Sequence, residues 1–264
     1  MSKKRRKRSL KRIIKTKRIF ILGIIIAIAA SLTYLYIIQP LATPPTSTFT
    51  IGILDQFYSE SPEFTNEIVK LAEENGLAIQ IFKDEEVNVE LYRKLPTFGF
   101  KLIILRVHTG ISEEGNYPFL FTSENYSDMK YPFEQVTNQI GRGIIPYRND
   151  TPLFTVGPDF FRLSAEGDFN GAVVILSSCY GLYNDFLAEA FIEKGAKVFI
   201  SWSDKVGLSH TDAAVKVLVE ALVKDRMSII EALRLTAEKV GSDPTYGGKL
   251  RFYPVEEENF RLDL

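Results

Sequence analysis

The sequence predicts a three-layer α/β/α sandwich around a mostly parallel sheet, preceded by one transmembrane helix. Three observations predict it. From residue 49 to residue 240, short β-branched apolar runs alternate with amphipathic helical stretches, the pattern of parallel strands covered on both faces. Two of those runs, LIILRV and AVVILSS, are apolar almost without a break, as doubly covered strands must be. Residues 19–38, IFILGIIIAIAASLTYLYII, carry no charge. At about 1.5 Å per residue they reach roughly 30 Å, the thickness of a bilayer core.

The chain has 264 residues, 45% hydrophobic and 25% charged. That composition excludes a disordered or low-complexity class, and the length suits one ordinary domain. The net charge of −1 hides an asymmetry: 11 of the 32 basic residues lie in residues 1–18, leaving 21 against 33 acidic ones in the rest. A basic run against an apolar span sets topology, so residues 1–18 are expected in the cytoplasm and the C-terminal part outside it. Attraction to anionic lipid adds to this, and no nucleic-acid partner is expected. A cleaved signal peptide fits less well, because the apolar run is long and no small-x-small site follows it. Residues 39–48, rich in Pro and Thr, read as a stiff spacer. Residues 49–264 are then expected to form the exported domain of a single-pass membrane protein.

Within that domain FTIGIL is a first strand. SPEFTNEIVKLAEENG is a helix with Ser61 as cap, Pro62 in the first turn, Phe64, Ile68, Leu71 and Ala72 inward, and Gly76 as stop. LAIQIF is a second strand, VELYRKLP a short helix or turn, and KLIILRV a buried strand. Regularity then fails. Residues from about 111 to 170 are rich in Gly, Pro, Asn and aromatics, an insertion long enough to be functional, with YPFLFTSE and PLFTVGP as hairpin strands and aromatics that either form a small core of its own or line a pocket. Alternation resumes with the strand AVVILSS, a helix capped by Asn184 or Asp185 and stopped by Gly195, and the strand AKVFISW. Two helices follow. The first has Ala214, Val217, Leu218, Ala221 and Leu222 on one face; the second opens on the capping box Ser228-x-x-Glu231.

Ligands of open α/β sheets meet the carboxyl ends of the strands. LIILRV runs into His108, Thr109 and Gly110, and AVVILSS runs into Cys179, Tyr180 and Gly181. Cys179 is the only cysteine and His108 one of two histidines. A thiol and an imidazole on one sheet edge form a nucleophile and its general acid/base. Small neighbours free backbone N–H groups to hold an oxyanion. Arg106, further back, is expected to pair with an acid. His210 sits at a helix start beside the capping residues Ser209 and Thr211 and reads as structural. Two histidines and one cysteine at these separations make no zinc site, and no phosphate-binding glycine motif is present, so no metal or cofactor is expected.

A strand ending in His, then Gly, an insertion, a strand ending in Ser-Ser-Cys, a helix, and KGAKVFISWSD together resemble the caspase-like cysteine peptidase clan, in its gingipain- and CHAT-domain-like style, over residues 48–240. The resemblance implies a peptide or protein substrate, with His108 as general acid/base and Cys179 as nucleophile. It also implies an oxyanion hole from the N–H groups of Gly110 and Cys179. Thr109 stands where the clan has Gly after the His, so Thr109 N–H is the other candidate. Ser177 stands where members cleaving after Lys or Arg have an acid. Asp204 and Asp185 are candidate substitutes, with Trp202 beside them in the substrate-binding set. The alternative function is a catalytically idle domain acting as a tethered binding module.

Overall fold

The computed structural model describes residues 50–113, 116–146 and 151–263, within a unit running from Thr48 to Leu264. The expected basic tail, membrane helix and spacer, residues 1–48, lie outside the described residues. Among the described residues no helix is long and apolar enough to cross a membrane.

In chain order the elements are β1 (Thr50–Asp55), α1 (Glu63–Glu74), β2 (Ala78–Lys83), α2 (Val89–Lys94), β3 (Leu102–Arg106), β4 (Thr109–Ile111), β5 (Pro118–Asn125), α3 (Pro132–Val136), β6 (Ile140–Gly143), β7 (Leu153–Val156), α4 (Pro158–Leu163), β8 (Val173–Leu176), α5 (Phe186–Glu193), β9 (Val198–Trp202), α6 (Leu208–Val223), α7 (Ile229–Lys239) and β10 (Leu250–Tyr253). The central sheet has the order β10-β9-β8-β3-β1-β2. All its pairings are parallel except β10 with β9. The protein is therefore mixed α/β with a mostly parallel sheet.

Successive side chains of a strand point to opposite faces. Ile53, Ile104, Ile175 and Ile200 pack on one face with Phe64 and Ile68 of α1, Leu218 of α6 and Ala232 of α7. Leu54, Leu105, Leu176 and Phe199 pack on the other with Tyr92 of α2, Phe161 of α4 and Phe191 of α5. Burying each large side chain in this way contributes about 1.5–3 kcal/mol relative to leaving it in water. The three central strands β3, β8 and β9 are buried along their whole length, which is why they read as unbroken apolar runs.

Helix ends depart from expectation where a polar side chain has a stronger partner. Ser61 does not cap α1; Pro62 holds that position, and the Ser61 hydroxyl and carbonyl accept from the Arg106 guanidinium at 3.3 and 3.2 Å. Neither Ser209 nor Thr211 caps α6: Gly207 holds that position, both residues lie inside the first turn, and Thr211 faces inward to Trp202. Val215, not Val217, is on its buried face. Asp185 stands at the cap of α5 without a side-chain bond, while the Asn184 carboxamide accepts from Phe186 N at 3.4 Å. The Glu231 carboxylate accepts from Ser228 N at 2.8 Å, as the capping box requires.

The irregular segment builds a second, antiparallel sheet of order β4-β5-β7-β6, with the two expected hairpin strands as β5 and β7. It begins at Thr109, directly after β3. Its larger aromatics do not form a core of their own. Phe154, Phe160 and Phe161 join Leu120 and Val156 in the cluster that covers the central sheet. The edge strand β10 has no counterpart among the sequence expectations; LRFY alternates, but it lies in a stretch dominated by Gly and charge.

Candidate active site

The imidazole side is set by β1 and β3, which pair in parallel with Asp55 opposite Arg106. Arg106 is fully buried. Its Nη1 donates to Asp55 Oδ1 at 2.8 Å, and Nε and Nη2 fork onto the two oxygens of Asp212, both at 2.8 Å. The rings of Phe57 and Phe64 lie 5.3 and 5.2 Å from its guanidinium carbon. Burial disfavours its charge, but Asp212 and Asp55 more than offset this and hold its pKa above the ordinary arginine value. Two residues on, His108 leaves the sheet. Its N–H donates to Gln56 Oε1 at 2.8 Å, and its ring lies 4.5 Å from the Phe57 ring and 6.4 Å, edge-on, from Phe121.

The thiol side is set by β8, which lies next to β3 with Leu176 opposite Leu105; Ser177 N continues the ladder to Leu105 O at 2.9 Å. The chain then turns sharply. Tyr180 takes a left-handed conformation, φ 59°, uncommon for a non-glycine residue. Its N–H donates to Asp204 O at 3.0 Å. Gly181 is required by close approach: a Cβ there would lie 2.2 Å from Ser201 Oγ and 2.6 Å from Leu176 Cδ2. Cys179 is half-buried beside Trp202, Val206 and Ala214. Its Sγ accepts from Val206 N at 3.4 Å and donates to Val206 O at 3.5 Å. Burial pushes the thiol pKa up, and the Val206 bond and the nearby Lys205 charge only partly offset this.

Thr109 joins the two sides. Its hydroxyl donates to the Cys179 carbonyl, so the Ser178 hydroxyl is the donor in the 3.0 Å pair it makes with Thr109 Oγ1. The residue that departs from the clan pattern is thus the tie between the His-bearing and Cys-bearing strand ends. Three residues beyond the matched pair Leu105 and Leu176 come His108 and Cys179, on adjacent strand ends at the carboxyl edge of the sheet.

The phase of the β4–β5 ladder separates the two oxyanion candidates. Phe121 N donates to His108 O, and Ser112 N to Tyr117 O, both at 2.9 Å. Gly110, opposite Phe119 and midway between these pairs, is in the same hydrogen-bonding phase, so its N–H turns toward β5. Thr109 is in the alternate phase, and its N–H turns to the outer edge of β4, the terminal strand of its sheet. A Cβ at Gly110 would lie 2.6 Å from the tip of the Phe119 ring, which would have to move; the N–H expected to hold an oxyanion faces β5.

The other expected substrate residues divide. Ser177 and Trp202 are buried and bonded to Thr211, whose Oγ1 takes the Trp202 indole N–H at 2.9 Å and pairs with Ser177 Oγ at 3.0 Å. They form the floor under the thiol and present nothing to a ligand. The Asp204 carboxylate accepts from Lys205 N at 2.7 Å. Asp185 lines a cavity of about 640 Å³ between the Cys179 loop, α7 and β10. His210 is structural in its contacts: Nε2 meets Gly241 O at 3.2 Å and the ring packs on Trp202. A second cavity, about 810 Å³, runs along the second sheet past Ile111, Phe119, Arg142 and Thr155. Among the described residues no group of three His, Cys, Asp or Glu side chains gathers as a metal site. The sequence reading missed Gln56, Phe57 and Val206. The first two follow β1 directly, and a strand end at the carboxyl edge was the only signal that would have marked them.

No family model matches the chain, and no curated protein matches it. Among solved structures, the Arg-specific cysteine proteinase gingipain R aligns at a TM-score of 0.46 with 12% identity, over 80% of this chain and 44% of its own. The complex of the pro- and mature domains of RgpB from Porphyromonas gingivalis aligns at 0.42 with 13% identity, over 73% of this chain and 43% of its own. The chain spans less than half the length of these structures.

Proposed function

We propose that the protein is a membrane-anchored cysteine endopeptidase of the caspase-like type, held by residues 19–38 with residues 49–264 outside the cytoplasm. The observation that carries the reading is the adjacency of the His108 and Cys179 strand ends, joined through Thr109. In the proposed reaction Cys179 Sγ attacks a peptide carbonyl while His108 takes the thiol proton. A preformed thiolate is not required, which suits a thiol whose pKa burial has raised. The oxyanion faces the N–H groups of Thr109 and Cys179. His108 returns the proton to the leaving amine, and the thioester is hydrolysed by water with His108 as base, giving a free acid and the free thiol. The groove past Ile111 and Phe119 receives the polypeptide on one side of the scissile bond.

A second reading has one specific observation in its favour. The thiol rests on the N–H and carbonyl of Val206, in an apolar bed, as in a domain whose site is idle and which serves as a tethered binding module. One experiment separates the two. The full chain in detergent, with Cys179→Ala and His108→Ala beside it, is incubated with a mixed peptide library under reducing conditions and cleavage is read by mass spectrometry. Cleavage abolished by both substitutions establishes the dyad. No cleavage, with Cys179 resistant to alkylation in the folded chain, establishes the idle module.

A further inference from the structure

Gln56 is buried, 1% exposed, at the carboxyl end of β1. Its main-chain N–H donates to Arg106 O at 3.0 Å, extending the β1–β3 ladder by one residue. Its side chain reaches across the gap where the sheet ends and the second sheet begins. There Oε1 accepts from His108 N at 2.8 Å, and Nε2 donates to Phe121 O at 3.1 Å and to Ser123 Oγ at 3.3 Å. The surroundings dictate the orientation of the amide: a backbone N–H needs an oxygen opposite it, and a carbonyl needs a donor. Phe121 N still donates to His108 O. The reciprocal bond of that pair, His108 N to Phe121 O, is replaced by the amide inserted between the two groups. The insertion opens the ladder at the residue that carries the imidazole, and the ring of Phe57, the next residue, lies 4.5 Å from the imidazole, centroid to centroid, tilted by 60°.

We propose that Gln56 is a positioning residue for His108: its carboxamide fixes the main chain of His108 between β1 and β5 and so sets where the imidazole meets the thiol. This rests on the proposed dyad. No other neutral side chain of that length supplies an acceptor and two donors in one plane. Glu at this position would keep the acceptor for His108 N but set an oxygen against the Phe121 carbonyl. Ala would leave a buried N–H and a buried carbonyl without these partners.

The test is a double-substitution cycle on the rate at which iodoacetamide alkylates Cys179 in the full chain at neutral pH. Gln56→Ala and Gln56→Glu are each made alone and in a His108→Ala background, with thermal unfolding recorded for every variant. A residue acting through His108 slows alkylation when His108 is present and adds nothing when it is absent. The expected result is a fall of about tenfold for Gln56→Ala, the cost of leaving one buried group unpaired, shrinking to within about twofold in the His108→Ala background. Gln56→Glu is expected to follow with a smaller fall. Equal factors in the two backgrounds, or loss of a cooperative unfolding transition in both Gln56 variants, would overturn the inference and make Gln56 a plain support of the sheet. If His108→Ala itself leaves the rate unchanged, the dyad fails and the inference falls with it.

Discussion

The strand end that carries His108 and the one that carries Cys179 are held by opposite physics. On the His108 side the groups beneath the edge are charged: the buried Arg106 between the buried Asp55 and the partly buried Asp212, with the Gln56 amide above them. On the Cys179 side they are neutral and apolar: Trp202, Val206 and Ala214, with the hydroxyls of Thr211 and Ser177 below. A charged, bidentate network has one geometry and tolerates little displacement. Packing and weak sulfur contacts hold a thiol with less directional force. The His108 main chain is therefore the more firmly held of the two. The Cys179 thiol rests on the Val206 backbone, in surroundings that favour its protonated form.

The largest break in this comparison is on the His108 side. Arg106→Met keeps an unbranched apolar stem and removes the guanidinium, leaving the buried Asp55 and the partly buried Asp212 without their shared cation. Removing one partner from a buried ion pair costs about 3–5 kcal/mol, and urea unfolding should show a loss of that order. Asp212→Asn, which keeps one acceptor for the fork, should cost clearly less. Equal losses would mean that the network acts by filling space and that its charges carry no special weight.

On the Cys179 side the largest effect is steric. Gly181→Ala drives a methyl into Ser201 Oγ and the Leu176 side chain, and overpacking of this kind costs about 1–3 kcal/mol. Gly181→Ala with Ser201→Gly removes the nearest obstruction and should recover part of the loss in the same unfolding assay. Failure to recover any would place the strain in the Tyr180 turn and not in the contact. Next in size is Thr211→Val, which is near the same shape but leaves the Trp202 indole N–H without its acceptor. It should cost about 1–2 kcal/mol and loosen the floor under the thiol, read as faster alkylation of Cys179.

The two strand ends were also unequally legible in the sequence. LIILRV and AVVILSS announce themselves because strands covered on both faces need apolar residues at every position, and their ends then point to His108 and Cys179. Only the structure relates residues far apart in the chain: Arg106 and Asp212 are separated by 106 positions, and His108 and Gln56 by 52. The oxyanion role of Gly110 rests on the family resemblance, carried over by its place after His108. Which N–H points outward depends on the phase of the β4–β5 ladder, and a sequence does not carry that phase. Ser177 enters the substrate set by standing where the resemblance has an acid, and Trp202 by standing beside Asp204, but along a strand alternate side chains face opposite ways, and these two face inward to Thr211. The caps failed for a related reason: Ser61 and Thr211 carry the right hydroxyl for a helix start, and a buried guanidinium and an indole claim them instead.

The smallest expected effect sharpens the comparison, because it concerns a buried acid on the side that is otherwise packed with apolar groups. Asp243 is buried, 3% exposed, and its carboxylate accepts from Gly207 N at 2.9 Å, Thr245 N at 2.8 Å and Tyr246 N at 2.7 Å. Burial works against its charge, but these three N–H bonds and the nearby His210 outweigh burial and hold its pKa below the ordinary carboxylate value. A carboxyl whose pKa is depressed by folding stabilises the fold above its unfolded pKa and ceases to do so as pH falls through its folded pKa. Asp243→Asn sets an amide N–H against one of the three donors and should cost about 1 kcal/mol at neutral pH. The gap between the variant and the parent, measured by urea unfolding from pH 7 downward, should close as the parent's carboxyl takes up its proton. The same charge raises the pKa of Cys179, so the variant should also be alkylated slightly faster at a given pH. A gap that does not change with pH would assign the role of Asp243 to shape alone, and would leave the Cys179 side with no electrostatic counterpart to the buried network under His108.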